Sequence, residues 1–139
     1  MMKEENRRVI VGNVEFDIQK SSGDQVKLEV RKSAHARSHE EAGIRADSIK
    51  YNFSMDSSSI TFDPFFSYPQ IDLLRDQEVR LSSRIPEGRI VHLDPTMKRI
   101  MDDIENVSNM YDPKMVNHYW EMRPEGLTCL DCEEDSEKK

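Results

Sequence analysis

The feature that most constrains this chain is a two-residue alternation of apolar and polar side chains. Val14, Phe16 and Ile18 alternate with Glu15, Asp17 and Gln19. Successive residues of a strand point to opposite faces, so this pattern presents one apolar face to a core and one polar face outward. The pattern returns at Val26, Leu28 and Val30, at Tyr51, Phe53 and Met55, at Ile60 and Phe62, and at Val79, Leu81, Ser83 and Ile85. Leu is sparse, and Val, Ile and aromatics supply the apolar runs, which suits a pleated, half-buried surface. A mainly β chain follows, its strands joined by corners. Ser21–Asp24 carries turn residues, and the link Asp56–Ser59 between two alternating runs predicts a hairpin or tight corner.

The 139 residues suit one domain. Residues 1–8 read as a charged flexible segment, 9–132 as a single β-rich domain and 133–139 as an acidic disordered tail. One or two short helices interrupt the strands. Ser38 followed by Glu41 forms a capping box, and Ala42, Ala46 and Ile49 share a helical face, which predicts a helix over 38–49. Asp94-Pro95 is a second helix start, and Met97, Ile100, Met101 and Ile104 follow at helical spacing, so a helical turn is expected over about 95–102. Residues 105–117 read as irregular. Residues 63–74 carry Pro64 and Pro69, which lack amide donors, and read as a loop folded onto the core. Pro-Glu-Gly occurs at 86–88 and at 124–126 and turns the chain into a fresh strand each time, with Pro first of the central residues and Gly last of the turn. Strands are expected over His118–Met122 and over 127–131. The resulting picture is a stack of short strands separated by corners; the alternative is α+β with an antiparallel sheet.

The function classes narrow mostly by exclusion. A net charge of -7 with no basic cluster argues against nucleic-acid binding. The chain has no apolar run of about 18 residues, so it is not expected to span a membrane itself, and no secretory leader is expected at its charged start. G-x-S-x-G, G-x-x-x-x-G-K-[ST] and G-x-G-x-x-G are missing. No catalytic residues and no cofactor are expected, and the chain reads as no enzyme.

Three chemical features stay open. Cys129 and Cys132 form C-x-x-C, the weak metal candidates of the chain. Two thiols alone cannot close a tetrahedral zinc site, so no metal is expected. In an extended strand their Cα atoms would lie about 10 Å apart, and a disulfide needs less than about 7 Å. An internal bridge therefore requires the chain to turn at Leu130-Asp131. His118 lies beside Tyr119 and Trp120, and His92 and the Cys pair could converge with it in space. The bland reading makes the thiols structural and His118 a surface residue; the sharper one makes them a metal- or thiol-redox-linked binding module. Phe65, Phe66, Tyr111, His118 and Tyr119 are the candidate binding residues, since aromatics anchor interfaces. Trp120 is expected in the core.

Several stretches carry a family resemblance. They are VIVGNVEFDIQ, the S-x-E-E-A-x-x-R-A run, FDPFFS, LLRDQEV, IPEG and MDDIENVSNMYDPKMVNHYWEMRPEGLTCLDC. Over residues 9–132 the chain resembles the C-terminal domain of Bacteroidetes proteins of the phage-shock-protein-C (PspC) class. The most specific part is Asn106–Cys132, with Y-D-x-x-M-V-x-H-Y-W and C-x-x-C. The resemblance implies a toast-rack domain, an open right-handed stack of β-strands. It also implies a non-enzymatic sensory or interaction role in an envelope-stress regulator anchored in the inner membrane, with the domain on the periplasmic side. This chain would then be a soluble fragment, tied to the membrane through segments it does not contain. Its partner would be another protein or a second copy, met through strand edges or an aromatic patch.

Overall fold

In a computed structural model, residues 9–35, 48–69 and 75–133 are described. The chain forms ten strands among these residues: β1 (Val9–Asn13), β2 (Glu15–Lys20), β3 (Lys27–His35), β4 (Phe53–Met55), β5 (Ile60–Phe62), β6 (Phe65–Pro69), β7 (Arg75–Ile85), β8 (Ile90–His92), β9 (Tyr119–Arg123) and β10 (Gly126–Cys129). They assemble into separate small sheets ordered β1-β6, β4-β5, β2-β7-β3 and β10-β9-β8. The mainly β expectation holds. The segment 1–8 expected to be flexible, nearly all of the helix expected over 38–49, and the tail from 134 lie outside the described residues. By compactness the chain falls into two units, Met1–Val14 with Val30–Arg80, and Glu15–Glu29 with Leu81–Lys139. Strands β3 and β7 contribute residues to both.

In the first unit, β1 and β6 pair antiparallel, with Gly12 opposite Phe66. Phe66 is buried and its ring covers the glycine, so a Cβ there would come within 2.7 Å of a ring carbon. Residues 63–74 were expected to be a loop; instead Phe65–Pro69 is a strand. The prolines permit this because Pro64 precedes the strand and Pro69 ends it, where a missing amide costs least. Lys50 exchanges two backbone hydrogen bonds with Ser67, at 2.7 and 2.9 Å, and continues the pairing.

The expected hairpin also lies in this unit, with β4 antiparallel to β5. Its turn is held by the Asp56 carboxylate, which accepts from the amides of Ser58 and Ser59, both at 2.8 Å. Those amides, first Ser58 and then Ser59, hold the Asp56 carboxyl below its ordinary range. Rings of Tyr51, Phe53 and Phe62 follow one another at 6.5 Å centroid spacing. All of β4 is exposed, so its alternation does not mark a core face.

In the second unit, Phe16 and Ile18 of β2 are buried, as are Leu81, Ser83 and Ile85 of β7. The alternation at Val26, Leu28 and Val30 gives a different result. Val26 is exposed and precedes β3, and Leu28 is only half-buried. β3 is an edge strand in its sheet, which leaves such side chains partly uncovered. The Phe16 amide donates to the Ile100 carbonyl at 2.7 Å, and its carbonyl accepts from the Asp102 amide at 2.9 Å. This ties β2 to the chain just after a 3-10 helix at Pro95–Arg99, the helical turn expected there. Asp94 caps it, accepting from the Thr96 amide at 2.9 Å and the Thr96 hydroxyl at 2.5 Å. That hydroxyl, then the amide, lowers the Asp94 pKa.

The two Pro-Glu-Gly units turn the chain in different registers. Arg123 pairs with Gly126, so Pro124 and Glu125 are the central residues of a two-residue hairpin loop and Gly126 comes last, as expected. At the first copy, the Arg89 amide donates to the Pro86 carbonyl at 3.2 Å. Glu87 and Gly88 are then central, and Gly88 takes φ 88°, a conformation that glycine adopts without penalty. Lys20 links the copies, its Nζ 2.9 Å from the Pro124 carbonyl and 3.4 Å from Glu87.

Trp120 is fully buried on β9 as expected, and its indole N–H donates to the Met115 carbonyl at 2.9 Å. Met115 ends a one-turn helix, Asp112–Met115, inside the stretch expected to be irregular. Its first residue, Asp112, accepts from the amides of Asp103 and Ile104 at 2.6 and 2.8 Å. Asn106 occupies the middle of this loop. Its amide group donates to the carbonyls of Ile104 and Met110, and its Oδ1 accepts from the Met110 amide at 2.8 Å.

Candidate functional site

Of the five candidate binding residues, Phe65 and Phe66 belong to the first unit and Tyr111, His118 and Tyr119 to the second. Phe65 points outward from β6; Val11, two residues from its partner Asn13, shares that face. Phe66, the next residue, points the other way and is buried, so the expectation that it lines a binding surface is corrected by strand parity. Tyr111 is exposed just before the one-turn helix. Tyr119 points outward from β9 with its ring 4.7 Å from that of His92, its partner on β8. His118 turns towards the C-terminal end of the neighbouring strand.

That last contact builds the most chemically distinctive place in the chain. Strands β9 and β10 form a hairpin whose turned end is Arg123–Gly126. At its open end the Leu130 amide donates to the Tyr119 carbonyl at 2.8 Å. Beyond this last rung the chain bends at Leu130 and Asp131. The bend supplies the turn that an internal bridge requires. Cys129 and Cys132 come to a Cα separation of 5.7 Å and are joined by a disulfide. The 10 Å expected of an extended strand therefore does not apply.

Asp131 is the residue that sequence reasoning passed over. Its only signal was its place inside C-x-x-C. Its Oδ1 lies 3.1 Å from His118 Nδ1, accepts from the Tyr119 amide at 3.1 Å, and lies 3.6 Å from Cys129 Sγ. A disulfide sulfur has no proton to donate, so this last approach sets lone pairs against lone pairs. The ligand atoms of His118, Cys129, Asp131 and Cys132 all lie within 4.8 Å of one another. The His118 and Asp131 side chains keep 30% and 43% of their surface exposed, so solutes reach the cluster. His92, which could have joined it, contacts Tyr119 instead.

The remaining surface offers shallower features. One open groove is lined by Lys20, Ser21, Asp24, Glu87 and Arg89, and another by Lys27, Leu28, Glu29 and Arg84. Among the described residues no helix is long and apolar enough to cross a membrane.

Comparison with known proteins gives a family match. The family described as "ToastRack found in some PspC" matches residues 2–135. Neither the curated proteins nor the solved structures yield a match. The small open sheets, the corner turns and the near-complete length of that match agree, and the chain belongs to the family of ToastRack domains found in some PspC proteins.

Proposed function

We propose that this chain is a non-enzymatic sensory and interaction domain of a PspC-type protein. The full protein is anchored in the inner membrane, presents this domain on the periplasmic side and acts in the response to envelope stress. Family membership supports a domain that works without catalysis. The observation that carries the interaction reading is the outward face of β8 and β9. Pairing of His92 with Tyr119 and of Ile90 with Glu121 sets these four residues on one face of the sheet. Ile90 is 54% exposed and Tyr119 51%. An aromatic beside an exposed Ile is a typical interface anchor. β8 is moreover an edge strand of its sheet, and an edge can accept a further strand from a partner. The partner is a protein, a second copy of this chain included.

The test is a pull-down with the membrane-anchored full-length protein under envelope stress, comparing wild type, an Ile90→Asp/Tyr119→Ser double variant and a form lacking this domain. A partner enriched by wild type and lost with the double variant supports the reading. Equal recovery by the domain-deleted form overturns it.

A further inference from the structure

We infer that the open end of the β9–β10 hairpin is a redox-gated site for a zinc-class divalent ion, with His118, Cys129, Asp131 and Cys132 as its ligands. The inference stands apart from the partner surface on β8 and β9. Two thiolates, an imidazole and a carboxylate are four donors of the kinds zinc takes. Tetrahedral zinc with its usual bond lengths needs ligand atoms about 3.3–3.8 Å apart. The four donors already lie within 4.8 Å of one another. Reduction frees the two sulfurs, which are bonded to each other, to move apart to that spacing. The carboxylate oxygen is already placed among the donors, with Asp131 Oδ1 3.1 Å from His118 Nδ1. The Tyr119 amide, donating to the same oxygen at 3.1 Å, would hold the carboxylate in place as a supporting partner does around metal ligands.

In the oxidised state the site is shut, because both sulfurs are spent on each other. A small dithiol or a protein dithiol opens it. Thiolate attack breaks the Cys129–Cys132 bond, two electrons pass to the pair, each sulfur takes up one proton, and the dithiol leaves as its own disulfide. Binding of the divalent ion then releases the two thiol protons. Both cysteines are half-buried, and the His118 and Asp131 side chains beside them are partly exposed. The hairpin end is clasped in either state, by the disulfide or by the metal, and is unclasped only when reduced and metal-free.

Cobalt(II) reads this directly, since thiolate ligation gives it an intense near-ultraviolet charge-transfer band and a tetrahedral visible spectrum. The full chain is titrated with cobalt, and then zinc, once as oxidised protein and once after reduction by a phosphine and anaerobic removal of the reductant. Reduced protein is expected to bind one equivalent with the tetrahedral thiolate spectrum, and zinc to displace it. Oxidised protein should bind at least about a hundredfold more weakly, without the band. His118→Ala and Asp131→Asn should each weaken the reduced site by about tenfold or more, the scale on which support of a metal site acts. Glu125→Gln, at the turned end of the hairpin, should leave it unchanged. If reduced wild type shows no thiolate band, or if His118→Ala and Asp131→Asn both bind as wild type does, the inference is overturned. The comparison of oxidised with reduced wild type needs no variant and survives any failure of one to fold.

Discussion

At the scale of single residues, this chain relies on polar side chains that do backbone work where no strand or helix can. Asn106 is the strongest case. It bonds two carbonyls and one amide of its loop, and Met110 beside it is buried. Removing it takes one partner from each of those groups, and a buried group left unsatisfied costs about 1–3 kcal/mol. Asn106→Ala is therefore expected to lower the unfolding free energy by roughly 2–3 kcal/mol, measured by chemical denaturation. Asn106→Asp should be no milder, because it keeps the acceptor for Met110 but turns an oxygen towards the two carbonyls. A smaller loss for Asp than for Ala would show that the donated bonds contribute nothing.

Among the elements, the β1–β6 ribbon shows how strand parity decides fate. Phe65 and Phe66 are chemically equal neighbours, yet one is exposed and the other lies over Gly12. The glycine is required there by closeness of approach, since a side chain would collide with the ring. Gly12→Ala is expected to cost about 1–3 kcal/mol, the usual range for overpacking. Adding Phe66→Leu should recover part of that loss, so the double variant will be less than additive; strict additivity in thermal or denaturant unfolding would refute the contact.

Legibility in the sequence follows the same line between local and distant causes. The strands at β2 and β7 and the β4–β5 hairpin were readable, because alternation and a serine-rich turn are local signals. β6 was not, because its partner β1 lies some fifty residues earlier and its flanking prolines read as loop. The one-turn helix at Asp112 carries the same Asp-Pro start as Asp94-Pro95. It is too short to be stable by itself and is held by the amides of Asp103 and Ile104. The ligand cluster was half visible. His118 and the Cys pair stood out as residue types, but their meeting depends on the β9–β10 register and on the bend at Leu130-Asp131, which no spacing rule supplies.

At the scale of the whole molecule, the sole tryptophan makes the two units optically unequal. Trp120 is sealed in the second unit, with its N–H bound to Met115. Its emission should therefore be blue-shifted in the native protein and report the melting of that unit alone. Far-ultraviolet circular dichroism reports the strands of both. Strands β3 and β7 contribute residues to both units. The fluorescence and dichroism transitions are expected to coincide in urea, and a resolved dichroism step without a change in emission would show the first unit opening independently. A side chain buried for packing thus becomes a built-in probe of whether the family's fold melts as one cooperative body or as two.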